Sequence, residues 1–261
     1  MAAELRSNPY GGRHAEKDAL RHRIWSLLED EGANIGPVWG RIPNFAGADL
    51  AALHLSRLAA WQSARVVKCN PDPPQIPVRL RALYGGKLVF VPVPALVQEF
   101  PFYRLDPTAL QHKGVEFELA ATSGGAALHG TPVAFEEMER IDIAVVGCVA
   151  VTRAGGRTGK GAGFADLELG IFRELGLVDE TTPIVTTVHD MQVVGDSAIV
   201  MQPHDSPLTA IATPTELIET TGAYQQPIGV LWDSVQPDQF ADIPFLQRMQ
   251  ARLSRRGAAA S

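Results

Sequence analysis

The sequence predicts an α/β fold, an open and mostly parallel sheet with helices on both faces. Two observations favour this class: short β-like runs alternate with amphipathic helical segments, and residues 141–151 are almost entirely apolar. A strand buried on both faces has such a continuous apolar run, and alternating strands and helices build parallel sheets. With 261 residues, the chain is long enough for one large domain or two small ones.

The elements of this fold are predicted in order along the chain. A first helix begins at residue 15, because Leu20, Ile24, Leu27 and Leu28 form one apolar stripe, and a second follows residue 49. Strands are expected at residues 65–69, 87–93, 141–151, 184–188, 198–201, 208–212 and 228–232. Further helices are expected at residues 78–83, 166–175, 215–220 and 245–253. Residues 102–140 carry few strand signals and are interpreted as an insertion.

The domain organisation follows from composition at the two ends. Residues 1–14 are rich in Asn, Pro, Gly and Arg and are predicted to form a flexible N-terminal arm. Residues 15–253 are expected to form a single α/β domain, and residues 254–261 a frayed C-terminal tail.

The net charge and the two cysteines argue against several classes of function. The net charge of −6 argues against broad nucleic-acid or membrane-surface binding, which requires a basic field. Cys69 and Cys148 form no CxxC pair, which favours a reducing compartment over a disulfide framework. Residues 1–17 contain no apolar segment of a signal peptide, and the longest apolar run is far shorter than the roughly 20 residues of a membrane span. A cytoplasmic protein without membrane contact is therefore expected.

The glycine-rich segment at residues 155–166 is the main candidate for a functional site. It contains five glycines, follows the most apolar strand and opens a helix. Glycines allow close approach of the backbone to a ligand, and free N–H groups at a helix start favour an anion. Arg157 and Lys160 add positive charge, and Asp166 lies in the first helical turn. The segment predicts a phosphate-binding loop with one possible metal ligand.

Common phosphate motifs do not match this segment. Only three residues separate Gly155 from Gly159, whereas a Walker A loop needs four, and the spacing GxGxG of residues 159–163 differs from GxGxxG. A surface turn with solvated cations is the alternative interpretation, and Asp166 alone is also typical of a helix-start acid.

Residues 157–166 resemble the loop R-L-G-x-G-x-G-Y-Y-D of the 5-formyltetrahydrofolate cyclo-ligase family, also called methenyltetrahydrofolate synthetase. The resemblance extends from about residue 17 to residue 232. It includes Lys17 and Arg21 one turn apart, Gly86-Lys87 before a strand with Pro92, and the later segments Gln192, His204-Asp205 and Thr213-Pro214-Thr215. It is strongest for the divergent branch that includes the methenyltetrahydrofolate synthetase domain-containing proteins.

The resemblance implies a NagB/RpiA/CoA-transferase-like fold and an ATP- and Mg²⁺-dependent ring closure. The formyl oxygen of 5-formyltetrahydrofolate is phosphorylated, and closure then yields 5,10-methenyltetrahydrofolate. By the same resemblance, Arg157 and Lys160 are catalytic, Asp166 holds Mg²⁺, and Asp72 and Gln192 bind the substrate. The residues that it implies for ATP binding are Lys17, Arg21, Gly159, Gly161, Gly163 and Phe164.

The sequence departs from the family pattern mainly on the substrate side. The acid expected before the Gly86-Lys87 strand is missing or displaced to Asp72, and the second loop tyrosine is Ala165. Three alternatives therefore stay open: a paralogue acting on another N-formyl or thiamin-related heterocycle, a non-catalytic nucleotide- or RNA-binding module, and a degenerate paralogue without turnover. A small-molecule substrate is expected, nucleic acid is disfavoured by the charge, and the oligomeric state stays open.

Overall fold

The structure is a computed structural model that describes residues 7–96 and 99–259, without the side chains of residues 95 and 252–259. Its strands are β1 (Val66–Cys69), β2 (Leu88–Pro92), β3 (Phe102–Leu105), β4 (Thr131–Val133), β5 (Ile143–Val145), β6 (Ala150–Thr152), β7 (Arg157–Thr158), β8 (Ile184–Thr187), β9 (Val193–Val194), β10 (Ala210–Ala212) and β11 (Leu217–Glu219). Its α-helices are α1 (Ala15–Asp30), α2 (Ala48–Leu55), α3 (Ala59–Ser63), α4 (Ile76–Tyr84), α5 (Pro107–His112), α6 (Phe117–Ala120), α7 (Ser123–His129), α8 (Phe164–Glu174), α9 (Pro237–Asp242) and α10 (Pro244–Ala259).

The larger sheet has eight strands in the order β11-β10-β8-β5-β1-β2-β3-β4. The five strands from β10 to β2 pair in parallel, whereas β11, β3 and β4 pair antiparallel at the two edges. This confirms the predicted mostly parallel sheet. It also shows that residues 102–140, interpreted as an insertion, supply the last two strands at one end of the sheet, β3 and β4, together with α5, α6 and α7.

Apolar side chains cover both faces of this sheet. Along β2, Val89 and Val91 join one apolar cluster with Trp61 and Leu83, while Phe90 between them joins another with Phe172. Alternate residues of a strand point to opposite faces, so each face has its own core. Burial on both faces explains why the central strands have continuous apolar runs.

The apolar run at residues 141–151 does not form the single strand that was predicted. The chain leaves the large sheet after β5 and enters a second sheet at β6, which pairs with β7 and β9. A side chain at Gly147 would meet the Asp72 carboxylate and Ile42 at about 3 Å, so only glycine fits at the crossing. A run of apolar residues indicates that a segment is buried, but it does not indicate that the chain passes from one sheet to another. This is why a single strand was predicted.

Three other predicted elements are wrong. Residues 215–220 were expected to be helical, but β11 pairs antiparallel with β10, because the Thr213 hydroxyl accepts hydrogen bonds from the backbone of Thr215 and Glu216 and closes a tight turn. Residues 198–201 and 228–232 were expected to be strands, but neither pairs with a sheet. Both stretches have the β-branched composition of strands without a neighbouring strand edge to receive them.

The two ends of the chain differ from the simple arm and tail that were predicted. Residues 1–6 lie outside the described residues, while residues 8–13 form turns that contact the glycine-rich segment. The last helix continues to Ala259, beyond the predicted domain end at residue 253. Within the described part of the chain, no helix has the length and apolar character to span a membrane.

Candidate functional site

A cavity of about 720 Å³ opens where β1, β2 and β5 end. Residues just beyond these strands, Asn70, Val93 and Gly147, lie in its wall. Ligands of open α/β sheets bind at the carboxyl ends of the strands, which is where this cavity lies. It is closed on another side by α1, the start of α8, and residues from the loops at 204–205 and 229–236.

Residues 157–163, the glycine loop, form the approach to α8. Gly161 and Gly163 have φ values of 112° and 74°, a backbone region that other residues rarely adopt. A Cβ at Gly161 would lie 2.8 Å from the carbonyl oxygen of Tyr10. These glycines place the N-terminus of the 11-residue helix α8 at the cavity, where unpaired N–H groups attract an anion.

Two of the five glycines of the segment have a different role. Gly155 and Gly156 lie in the turn that joins β6 to β7, and a Cβ at Gly155 would approach the Leu208 carbonyl oxygen at 2.6 Å. They are absent from the cavity wall that the described residues form. Of the segment at residues 155–166, for which a phosphate-binding loop was predicted, residues 157–166 line the cavity, whereas Gly155 and Gly156 do not.

The four predicted cations Lys17, Arg21, Arg157 and Lys160 all line the cavity, and together they are called the basic wall. Three of them bind carboxylates. Lys17 Nζ lies 2.5 Å from Asp205 Oδ2, Arg21 Nη1 lies 2.6 Å from Asp18 Oδ1, and Arg157 Nη2 pairs with Asp166 Oδ1.

Lys160 differs from the other three cations of the basic wall. Among the described residues no carboxylate forms an ion pair with it, and its ammonium lies 5.4 Å from the centroid of the Tyr10 ring. A cation over an aromatic face keeps its charge available to a further anion. Lys160 is thus the member of the basic wall whose charge an incoming phosphate would meet with least competition.

Asp166 lies at the cavity in the first turn of α8. Its Oδ1 accepts hydrogen bonds from Arg157 Nη2 and from the Ser206 backbone N–H, the latter at 2.7 Å. Within the described residues no group of three or more His, Cys, Asp or Glu side chains could hold a metal by itself. Mg²⁺ needs only one or two carboxylates when phosphates and water complete its shell, so this single acid fits a phosphate-bound Mg²⁺.

The sequence did not indicate that the N-terminal arm contributes to the site. Asn8 Nδ2 donates to the Lys160 carbonyl oxygen at 3.1 Å, and Arg13 Nη1 donates to the Ala162 carbonyl oxygen at 2.9 Å. The Tyr10 ring meets the Phe164 ring edge-on at a centroid distance of 6.5 Å. A polar arm rich in glycine gives no periodic signal, and only its aromatic and cationic residues hint at a contact.

Asn70, Asp72 and Glu168 also line the cavity, and together they are called the floor here. The Arg79 guanidinium is fully buried beneath residues 70–72 and donates to the carbonyl oxygens of Asn70, Pro71 and Asp72. This holds the segment after β1 in place. Burial raises the pKa of the Asp72 carboxyl, and the positive charges of Lys160 and Arg79 oppose that rise.

A buried ion pair underlies the floor. Lys68, which is fully buried in β1, pairs with Glu168 Oε1 from α8 and also donates to Asn70 Oδ1 at 2.6 Å. The one signal for it in the sequence is a lysine inside an apolar strand, and nothing local connects that lysine to a glutamate 100 residues later.

Gln192, predicted to bind substrate, lies outside the cavity wall. Its Nε2 donates to the carbonyl oxygens of Cys148 and Val149, and its Oε1 accepts from the His189 backbone N–H. All these contacts fix the crossing between the two sheets. The structure thus gives Gln192 a positioning role behind the site and leaves Asp72 as the predicted substrate residue at the cavity.

Comparisons with known proteins agree with the motifs. The family described as the 5-formyltetrahydrofolate cyclo-ligase family matches residues 13–214. Methenyltetrahydrofolate synthase domain-containing proteins of Mus musculus and Homo sapiens are 38% and 35% identical over 243 and 245 residues. These alignments cover 92% of this chain but 65% and 63% of the mouse and human proteins, so the chain spans less than two thirds of either relative.

Solved structures with a similar outline include two methenyltetrahydrofolate synthetases. That of Aquifex aeolicus is 18% identical with a TM-score of 0.49, covering 80% of this chain and 93% of that one. That of Mycoplasma pneumoniae is 12% identical with a TM-score of 0.43, covering 76% and 98%. The family match alone spans α1, the strands that end at the cavity, the glycine loop and α8. The chain therefore belongs to the 5-formyltetrahydrofolate cyclo-ligase family.

Proposed function

We propose that this chain is an ATP- and Mg²⁺-dependent cyclo-ligase, with 5-formyltetrahydrofolate as its first candidate substrate. The observation that carries the proposal is the position of the glycine loop and Lys160 at a cavity beyond the strand ends. We also propose a cytoplasmic location, supported by two buried cysteines that form no disulfide.

In this proposal the basic wall binds the polyphosphate. Lys17 and Arg21 on α1 would contact the phosphates, while Gly159, Gly161 and Gly163 let the backbone N–H groups approach them. Phe164, next to the Tyr10 ring, would border the nucleotide. The ion pairs of Lys17 and Arg21 with acids fix their side chains before the ligand arrives, which lowers the entropy lost on binding.

The reaction itself needs charge neutralisation and positioning. ATP would supply the phosphoryl group that turns the formyl oxygen into a leaving group, and Mg²⁺ would neutralise charge on the phosphates. Lys160 and Arg157 would hold the transferred phosphoryl group, and Asp166 would hold Mg²⁺. The floor would position the ring so that its neighbouring nitrogen reaches the activated carbon.

The test is turnover by the purified chain with ATP, Mg²⁺ and 5-formyltetrahydrofolate. We expect the near-ultraviolet absorbance of the methenyl product to rise together with ADP. Lys160→Met should lower kcat/KM by about a hundredfold or more, because it removes charge stabilisation from the transition state. Lys113→Met is the matched control, since Lys113 is exposed and lies outside the cavity wall.

The outcomes separate the alternatives. Lack of both ATP binding and product would overturn the proposal. ATP binding without conversion of 5-formyltetrahydrofolate would instead favour a different N-formyl or thiamin-related heterocycle as substrate. That second candidate is favoured by the substrate side of the site, where Ala165 replaces the second tyrosine of the family loop and Asp72 is the acid at the segment after β1.

A further inference from the structure

Side chains from near the two ends of the chain meet at one carbonyl group of the glycine loop. Arg13 Nη1 from the N-terminal arm and Gln239 Nε2 from α9 both donate to the Ala162 carbonyl oxygen, at 2.9 Å and 2.8 Å. Arg13 Nη2 also binds Asp238 Oδ2 at 2.7 Å, so the arm and α9 are joined to each other as well as to the loop. Gln239 is only 5% exposed, and its buried amide needs this partner.

The Ala162 carbonyl oxygen is not used by helix α8. In an α-helix a carbonyl oxygen accepts the N–H four residues later, which for Ala162 is that of Asp166. The helix instead starts its hydrogen bonds one residue further on, where the Leu167 N–H donates to the Gly163 carbonyl oxygen at 3.1 Å. Arg13 and Gln239 therefore take up the oxygen that would otherwise extend α8 by one residue.

The planarity of the peptide group links this carbonyl to the N–H of Gly163. In a trans peptide the C=O and the following N–H point in opposite directions, so the Gly163 N–H points away from the two donors. Within the described chain no acceptor binds this N–H, and Gly163 lies in the cavity wall. Gly163 has a φ of 74° and no Cβ, so this peptide alone could rotate at little cost. The two donors remove that freedom.

We propose that Arg13 and Gln239 are positioning residues: by holding the Ala162 carbonyl oxygen, they orient the Gly163 N–H to donate to a phosphate group at the start of α8. This inference rests on the proposed function, since the phosphate is that of ATP. A donor that is oriented before the ligand arrives loses less free energy on binding than one that must first be turned. Gln239 lies outside residues 13–214, so the match to the family assigns it no role.

The test measures the affinity for inorganic tripolyphosphate by calorimetry in the presence of Mg²⁺. Gln239→Met keeps the length of a neutral side chain and removes the donor, and affinity should fall about threefold because Arg13 still holds the carbonyl oxygen. Arg13→Met also removes a charge, and we expect a loss of about tenfold. Gln247→Met is the matched control, since the exposed Gln247 on α10 lies outside the described cavity wall, and it should leave the affinity unchanged.

The double variant Arg13→Met/Gln239→Met separates orientation from charge. If Arg13 acted through its charge alone, the two losses would multiply to about thirtyfold, because independent effects add in free energy. Since either donor alone can hold the carbonyl oxygen, we expect the double variant to lose about a hundredfold or more. In a ¹H–¹⁵N NMR spectrum, tripolyphosphate should shift the Gly163 amide proton downfield in the unmodified chain and in Gln239→Met, but not in the double variant.

The outcomes decide this inference separately from the proposed function. Losses that simply multiply, or a Gly163 amide proton that tripolyphosphate does not shift in the unmodified chain, would overturn the inference even if the chain forms the methenyl product. An excess loss in the double variant with no methenyl product would support the inference and contradict the cyclo-ligase proposal. If the double variant does not fold, the Gly163 resonance of the unmodified chain and the affinity of Gln239→Met still decide, and an unchanged affinity of Gln239→Met would then count against the inference.

Discussion

The basic wall and the floor of the cavity are built in opposite ways. On the basic wall cations face the ligand, and three of the four have carboxylate partners fixed beside them. On the floor acidic and amide groups face the ligand, and the cations Lys68 and Arg79 lie buried behind. One cavity thus offers a positive side suited to phosphates and an acceptor-rich side suited to N–H groups.

The basic wall and the floor would therefore bind different parts of the bound molecules. Like charges at close range repel, so a polyphosphate would avoid the floor and an N–H edge would avoid the basic wall. The ion pairs keep each set of side chains in one geometry before a ligand arrives. The experiments below each probe one side of the cavity.

The largest effect is expected for Arg157→Met on the basic wall. Arg157 is 3% exposed and binds both Asp166 and the Ser206 carbonyl oxygen, so its loss leaves a carboxylate without its partner. Breaking one side of a buried pair costs about 3–5 kcal/mol, and we expect the free energy of unfolding in urea to fall by that amount. The double variant Arg157→Met/Asp166→Leu should recover most of this loss but not ATP binding. A change under about 1 kcal/mol in the single variant would show that water or another cation replaces Arg157.

The basic wall could be predicted from the sequence, whereas the floor could not. The residues of the glycine loop are close in sequence, so their composition predicted a phosphate site, whereas Lys17 and Arg21 were assigned to that site by the resemblance to the family. All of these residues line one cavity. The floor joins β1 to α8 across 100 residues, and its ion pair follows only from three-dimensional packing. A single sequence carries no signal for such a pairing.

The fold, like the site, was predicted where local sequence patterns determine the structure and was missed where distant contacts do. Helix periodicity located α1 and α8, because an apolar stripe at helical spacing reflects local geometry. The crossing at Gly147 and the turn at Thr213 were missed, since both depend on which neighbour the chain meets after a strand. Gln192 was assigned to the substrate by the resemblance to the family alone, whereas in the structure its side chain binds the backbone of His189, Cys148 and Val149.

A smaller effect is expected for Gly161→Ala in the glycine loop. The added Cβ would meet the Tyr10 carbonyl oxygen in a backbone region unfavourable for alanine, so the loop and the arm must separate. ATP affinity should fall about tenfold, while the free energy of unfolding falls by about 1 kcal/mol. Gly176→Ala is the control: Gly176 has φ of 68° and open space around its Cβ position. It should show the same loss of stability without any change in ATP affinity, and equal ATP affinity in both variants would disprove a role for the loop conformation.

The smallest effect concerns Cys69, the neighbour of Lys68 in β1. Adjacent strand residues point to opposite faces, so the thiol lies in the apolar cluster on the far side from Glu168. Burial raises its pKa to about 11, and burial also raises the pKa of the Cys148 thiol. Since the thiolate is the reactive form, an aromatic disulfide reagent at pH 8 should label neither cysteine in the folded protein and both in urea. ATP should not alter this labelling. Rapid labelling of Cys69 without denaturant would mean that the apolar cluster on its side of the sheet opens far enough to expose β1.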